Sequence, residues 1–122
     1  MTSNTPLDPS LGYALANATV AAAMAAEAMV GRGDEQAAEE AAASAMRAAL
    51  NSVDIAGQVV VGEADGSILN VGEKVGTGNG PELDIALEAL EGTTLTAKAM
   101  ANAIAVIAAL PRLQLVCHAA GT

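Results

Sequence analysis

The chain has 122 residues and a formal net charge of −9, with 52% hydrophobic and 1% aromatic residues. That length suits one domain with a core, and the apolar content excludes disorder throughout. Five Lys and Arg against fourteen Asp and Glu exclude binding of nucleic acid through phosphate contacts.

Residues 1–8 read as a loose lead-in. Asp8-Pro9 then starts a helix, with Asp as N-cap and Pro at the first helical position. The helix is expected from Pro9 to Val30, where Gly31 and Gly33 break it. Its apolar run is no signal or membrane segment. The preceding stretch has no basic residue and carries Asp8, and Asn17 and Glu27 interrupt the run. The expected setting is the cytoplasm, with no membrane contact. Roughly a quarter of the chain is alanine, which buries little area, so the helices are expected to pack against a partner, with a homo-oligomer as the result.

Asp34 caps a second helix, Glu35 to Asn51, whose early acids Glu35, Glu39 and Glu40 suit the positive end of the helix dipole. Beyond Val53 the residue types change. Gln58–Gly62 reads as a strand, Asp65-Gly66 as a hairpin turn, and Ser67–Gly72 as the returning strand. Glu73–Pro81 reads as a loop and Leu83–Leu87 as a third strand. Thr93 or Thr94 is expected to cap a short helix over Leu95–Met100, before a last strand over Asn102–Leu110. The fold class that follows is α+β, with two N-terminal helices packed on a mainly antiparallel or mixed sheet.

Acids gather at element ends. Asp34, Glu35, Glu39 and Glu40 begin the second helix, Glu63 and Asp65 end the first strand, and Glu88 and Glu91 end the third. Strand ends and helix starts can meet at one edge of a sheet, and carboxylate oxygens are the ligands hard cations prefer. In E-G-T-T, Gly92 allows a tight turn, while Thr93 and Thr94 offer hydroxyls beside a helix N-terminus, a seat for a phosphate oxygen. A metal beside a phosphate seat points to phosphoester hydrolysis. The bland alternative is a solvated acid followed by an ordinary cap. Cys117 and His118 lack the further ligands of a zinc site and read as incidental.

The blocks G-R-G-D-E-Q-A-A-E-E (31–40), V-V-V-G-E (59–63), E-K-V-G-T-G (73–78), E-L-D-I-A-L-E-A-L-E-G-T-T (82–94) and N-A-I-A-V-I-A (102–108) occur in an order and spacing that resemble class II fructose-1,6-bisphosphatase. The resemblance covers Leu11 to Ala109. It implies the N-terminal part of the layered α/β/α fold of lithium-sensitive sugar phosphatases. It also implies hydrolysis of fructose 1,6-bisphosphate, in gluconeogenesis, with Mn²⁺ or Mg²⁺. The resemblance puts the metal ligands on Glu39, Glu63, Glu88 and Glu91. It puts the substrate contacts on Glu91, Gly92 and Thr93, with Glu91 and Thr93 catalytic in orienting the attacking water.

Departures from that family are visible. It usually carries Asp where Glu39 and Glu88 stand, Pro at Ala89 and Lys at Glu35. Its longer acidic loop is G-E-A-D-G here. The chain is expected to be a truncated N-terminal portion, 9–110, followed by a divergent tail, 111–122. The alternative function is therefore a catalytically inactive fragment serving as an oligomerisation or interaction module. A third reading is the product of a broken reading frame.

Overall fold

The computed structural model describes residues 9–29, 31–63, 67–91 and 104–111. In chain order they form helices α1 (Pro9–Glu27) and α2 (Glu35–Asn51), then strands β1 (Ala56–Val61), β2 (Lys74–Val75), β3 (Glu82–Glu91) and β4 (Ile104–Pro111). The lead-in 1–8, the Asp65-Gly66 turn, the Thr93/Thr94 cap with its helix, Cys117, His118 and the rest of the tail beyond Pro111 lie outside the described residues.

The N-cap of α2 is the one the residue types demand. Asp34 holds an extended backbone, and its Oδ1 accepts the Ala37 N–H at 3.0 Å. Asp34→Ala removes that acceptor and is expected to cost about 1 kcal/mol, read as a lower urea midpoint at unchanged slope.

The helices meet through small side chains. Ala18, Ala22 and Ala26 of α1 and Ala38, Ala42 and Ala43 of α2 are all buried. The i, i+4 spacing of Ala18, Ala22 and Ala26, and of Ala38 and Ala42, lays one methyl row along each helix, with Ala43 beside it, so the backbones can approach closely. Bulk comes from elsewhere: Met46 and Leu50 of α2, Ile55, Val59 of β1, and Leu83, Ile85 and Leu87 of β3. Alternate residues of β3 face the helices, as the period of a strand requires. Tyr13, Val20 and Met24 of α1 stay exposed. Among the described residues no helix is long and apolar enough to cross a membrane.

The sheet is mixed, in the order β2-β1-β3-β4. β1 pairs parallel with β3, and antiparallel pairs flank them, β1 with β2 and β3 with β4. The returning strand expected at Ser67–Gly72 does not form. Leu69 there turns with φ 65 and buries its side chain completely. The chain reaches the edge of β1 only afterwards, where Gly72 N–H donates to the Val59 carbonyl at 2.8 Å and Val59 N–H to the Glu73 carbonyl at 2.9 Å. Lys74–Val75 then pairs with Gly57–Gln58. The antiparallel partner thus lies inside the segment read as loop. The third strand is also longer than expected, because its pairing with β4 continues from Leu83 to Glu91 across a bulge.

Candidate functional site

The connection from α2 to β1 is short, and β1 runs back along the helix. Its far end therefore returns to the start of α2. β3 is parallel to β1, so its far end arrives there too. One helix N-terminus and two strand C-termini meet at a single edge, and each brings an acid: Glu39 from α2, Glu63 just beyond β1, and Glu88 near the end of β3.

Glu63 is the centre of this group. β1 stops pairing with β3 at Val61↔Ala86, while β3 continues to Glu91. The overhanging strand still needs acceptors on that side, and Glu63 Oε2 takes the Ala89 N–H at 2.9 Å. The residue is only 7% exposed. Its carboxyl is pushed up from 4.5 to about 7, first by burial and then by the charges of Glu88 and Glu39. A hydrogen bond to the Glu39 side chain adds to the rise, because the protonated Glu63 can donate to a neighbouring carboxylate. The Ala89 N–H works in the opposite sense, favouring the charged form.

A cleft of about 320 Å³ opens beside these acids, lined by Gln36, Glu39, Glu40, Ala43, Glu63, Ser67 and Ile68. A larger one, about 520 Å³, lies at the opposite end of α2 and β1 between Ser10, Asn17, Ser52 and Asp54. Asp54 there already accepts from the Thr77 hydroxyl at 3.0 Å. Among the described residues Asp54 is the one acid lining the larger cleft, against Glu39, Glu40 and Glu63 in the smaller, so the smaller cleft is the candidate.

The structure brings Glu39, Glu63 and Glu88 together. The backbone of Glu91 closes β3 on the same edge. The side chain of Glu91, and Gly92 and Thr93 entirely, lie outside the described residues. No motif points to Gln36 or Ser67. The signal for Gln36 is its helical spacing from Glu39, Glu40 and Ala43, which puts all four on one face.

The donor chemistry suits a hard cation: carboxylate oxygens, at least one of them buried, whose mutual repulsion favours a neutralising positive charge. The arrangement is not a finished cage. Among the described residues, no group of three His, Cys, Asp or Glu side chains is set to hold one ion. Binding therefore requires side-chain movement, or oxygens beyond these three.

Comparison with known proteins gives a consistent set. The family model described as bacterial fructose-1,6-bisphosphatase, glpX-encoded, matches residues 9–121. The chain is 46% identical over 101 residues to fructose-1,6-bisphosphatase 1 class 2 of Escherichia coli (strain K12), covering 80% of this chain and 30% of that one. The same identity and coverage hold for the fructose-1,6-bisphosphatase class 2 of Shigella flexneri. Against fructose-1,6-bisphosphatase 2 class 2 of Escherichia coli (strain K12) it is 44% identical over 106 residues, 84% of this chain and 33% of the other. The chain thus spans about a third of the length of these relatives.

Proposed function

The chain belongs to the bacterial fructose-1,6-bisphosphatase family, and from that premise we propose that its acidic edge is the metal-binding part of a phosphomonoesterase site acting on fructose 1,6-bisphosphate. Glu39, Glu63, Glu88 and Glu91 hold Mn²⁺ or Mg²⁺ in this reading. A bound divalent ion supplies Lewis-acid polarisation of the phosphoryl group and makes a water acidic enough to attack. Glu91, Gly92 and Thr93 contact the sugar phosphate, and Glu91 and Thr93 orient the water. Glu63, whose carboxyl burial pushes up to about 7, would have to be deprotonated to serve as a ligand, so cation binding there would be favoured as pH rises. The products are fructose 6-phosphate and phosphate.

The observation that carries this reading is the convergence of Glu39 and Glu88 on buried Glu63. Such a group is costly unless protons or a cation neutralise it. The test is phosphate release from fructose 1,6-bisphosphate with and without Mn²⁺, beside Glu91→Gln. Release that needs Mn²⁺ and falls at least ~100-fold in the variant is expected, the size seen when an orienting acid or base is removed. Release that persists equally in both overturns the assignment.

A second reading is favoured by one observation, that no three described acids are set to share one ion. It is a family member that keeps the fold without turnover and acts by association. Mn²⁺ calorimetry separates the two: binding lost in Glu63→Gln supports the phosphatase, and no binding by the wild type supports the interaction module.

A further inference from the structure

Glu63 is held from behind by a chain of contacts that starts on α2. Arg47 Nη1 meets Glu73 Oε2 at 3.4 Å. The other oxygen of Glu73 accepts the Leu69 N–H at 2.8 Å. Leu69 has φ 65, a backbone conformation that costs a branched residue energy and that no other described non-glycine residue adopts. Its side chain is completely buried. Its carbonyl then accepts the Glu63 N–H at 3.0 Å. Gly62 fits against the same carbonyl, since a Cβ there would overlap the Leu69 oxygen.

We propose that Glu73, steadied by Arg47, is a positioning residue that locks Leu69 in its left-handed turn and so fixes Glu63 relative to Glu39 for binding a divalent cation. The proposal rests on the metal reading above. The geometry favours it over a surface ion pair for two reasons. A lone pair between partly exposed side chains contributes little, and here Arg47 is 42% and Glu73 21% exposed. The shorter contact goes instead to a backbone N–H in the residue that needs restraint. The anchor also sits on α2, the helix that carries Glu39, so the strut sets one acid against the other. Groups that orient a ligand from behind commonly change metal affinity by tenfold or more when removed.

The test uses the full chain, Mn²⁺ as the probe, and two readouts. Glu73→Ala should weaken Mn²⁺ binding about tenfold by calorimetry and accelerate hydrogen exchange of the Leu69 amide by at least about tenfold. Glu73→Gln keeps an oxygen for the Leu69 N–H and should hold Mn²⁺ affinity within about threefold, because only the exposed pair is lost. Glu73→Asp, one methylene too short to reach both partners, repeats the test should the alanine variant fail to fold. A variant that melts earlier but binds Mn²⁺ like the wild type overturns the strut and leaves the metal reading standing. A wild type that binds no Mn²⁺ overturns the metal reading, and the strut's purpose with it.

Discussion

Glu63→Gln is expected to raise the melting temperature of the metal-free protein at pH 8 and to abolish its response to Mn²⁺. The glutamine oxygen still accepts the Ala89 N–H that Glu63 accepts at 2.9 Å. Its amide can donate to Glu39, the bond that the glutamic acid makes only when protonated. What disappears is a buried negative charge facing Glu88 and Glu39. The pH dependence has a definite sign. The Glu63 carboxyl titrates at 4.5 in the unfolded chain and at about 7 in the fold. Below the first value both states are protonated and the group contributes no difference. Between the two, the unfolded chain releases its proton while the folded chain keeps it, so stability falls as pH rises. Above about 7 the loss is complete. At about 1.4 kcal/mol for each pH unit between the two values, it is on the order of 3 kcal/mol. Removing the carboxyl should restore most of this, a gain of roughly 10 °C at pH 8. At pH 4 the two proteins should melt together. The difference between their melting curves over pH 4–8 cancels every other titrating group. A flat difference would mean that Glu63 is not buried among like charges. Mn²⁺ at a hundred times its dissociation constant should stabilise the wild type by about 2.7 kcal/mol and the variant not at all. The trade of stability for a binding site is common where charges are gathered for function.

The sequence makes the helices and the acidic edge legible for local reasons. Pro9 and Asp34 mark helix starts by their own backbone chemistry, and α1 and α2 begin where those residues say, although α1 stops at Glu27, short of the Val30 expected from the glycines at 31 and 33. The convergence of Glu39, Glu63 and Glu88 follows from acids placed at element ends. It needs one further fact, the parallel pairing of β1 with β3, which no local signal carries. A parallel partner is chosen by the crossover and the packing of the whole sheet. The misplaced β2 has the same origin. Ser67–Gly72 has the composition of a strand, but burial of Leu69 and the bond from its N–H to Glu73 turn the chain instead. Those contacts are set by α2 and β1, remote along the sequence. The E-K-V-G-T-G block, legible as a resemblance, receives its physical reason only in three dimensions: Glu73 ties down Leu69, Val75 pairs with β1, and the glycines cross the joint between α2 and β1.

That joint supplies the second large effect. Gly76→Ala should destabilise the protein by about 3–4 kcal/mol, enough to leave much of it unfolded at 37 °C. Gly76 has φ 95, and an added Cβ would overlap the Ile55 carbonyl oxygen and lie 2.6 Å from Ile55 Cγ1. Positive φ alone costs a residue with a Cβ about 1–2 kcal/mol, and forcing atoms into a filled space adds about 1–3 kcal/mol. The clash cannot be relieved by a rotamer, because the nearest atom is backbone. Nor can the turn simply move away. Gly76 N–H donates to Asn51 Oδ1 at 3.1 Å, Thr77 N–H to the Val53 carbonyl at 2.9 Å, and Gly78 N–H to the Ile55 carbonyl at 3.0 Å. Ile55 itself is completely buried. Gly78 is the internal control, since its φ is 92 but nothing lies within 4 Å of its Cβ position. Gly78→Ala should therefore cost only the conformational part, about 1–2 kcal/mol. Gly12 controls for substitution as such: it sits inside α1 with open space around it, and Gly12→Ala should stabilise by about 0.5–1 kcal/mol. Urea titrations of the three variants give the order directly. Equal losses at 76 and 78 would show that backbone conformation alone, and not contact with Ile55, requires glycine at this joint.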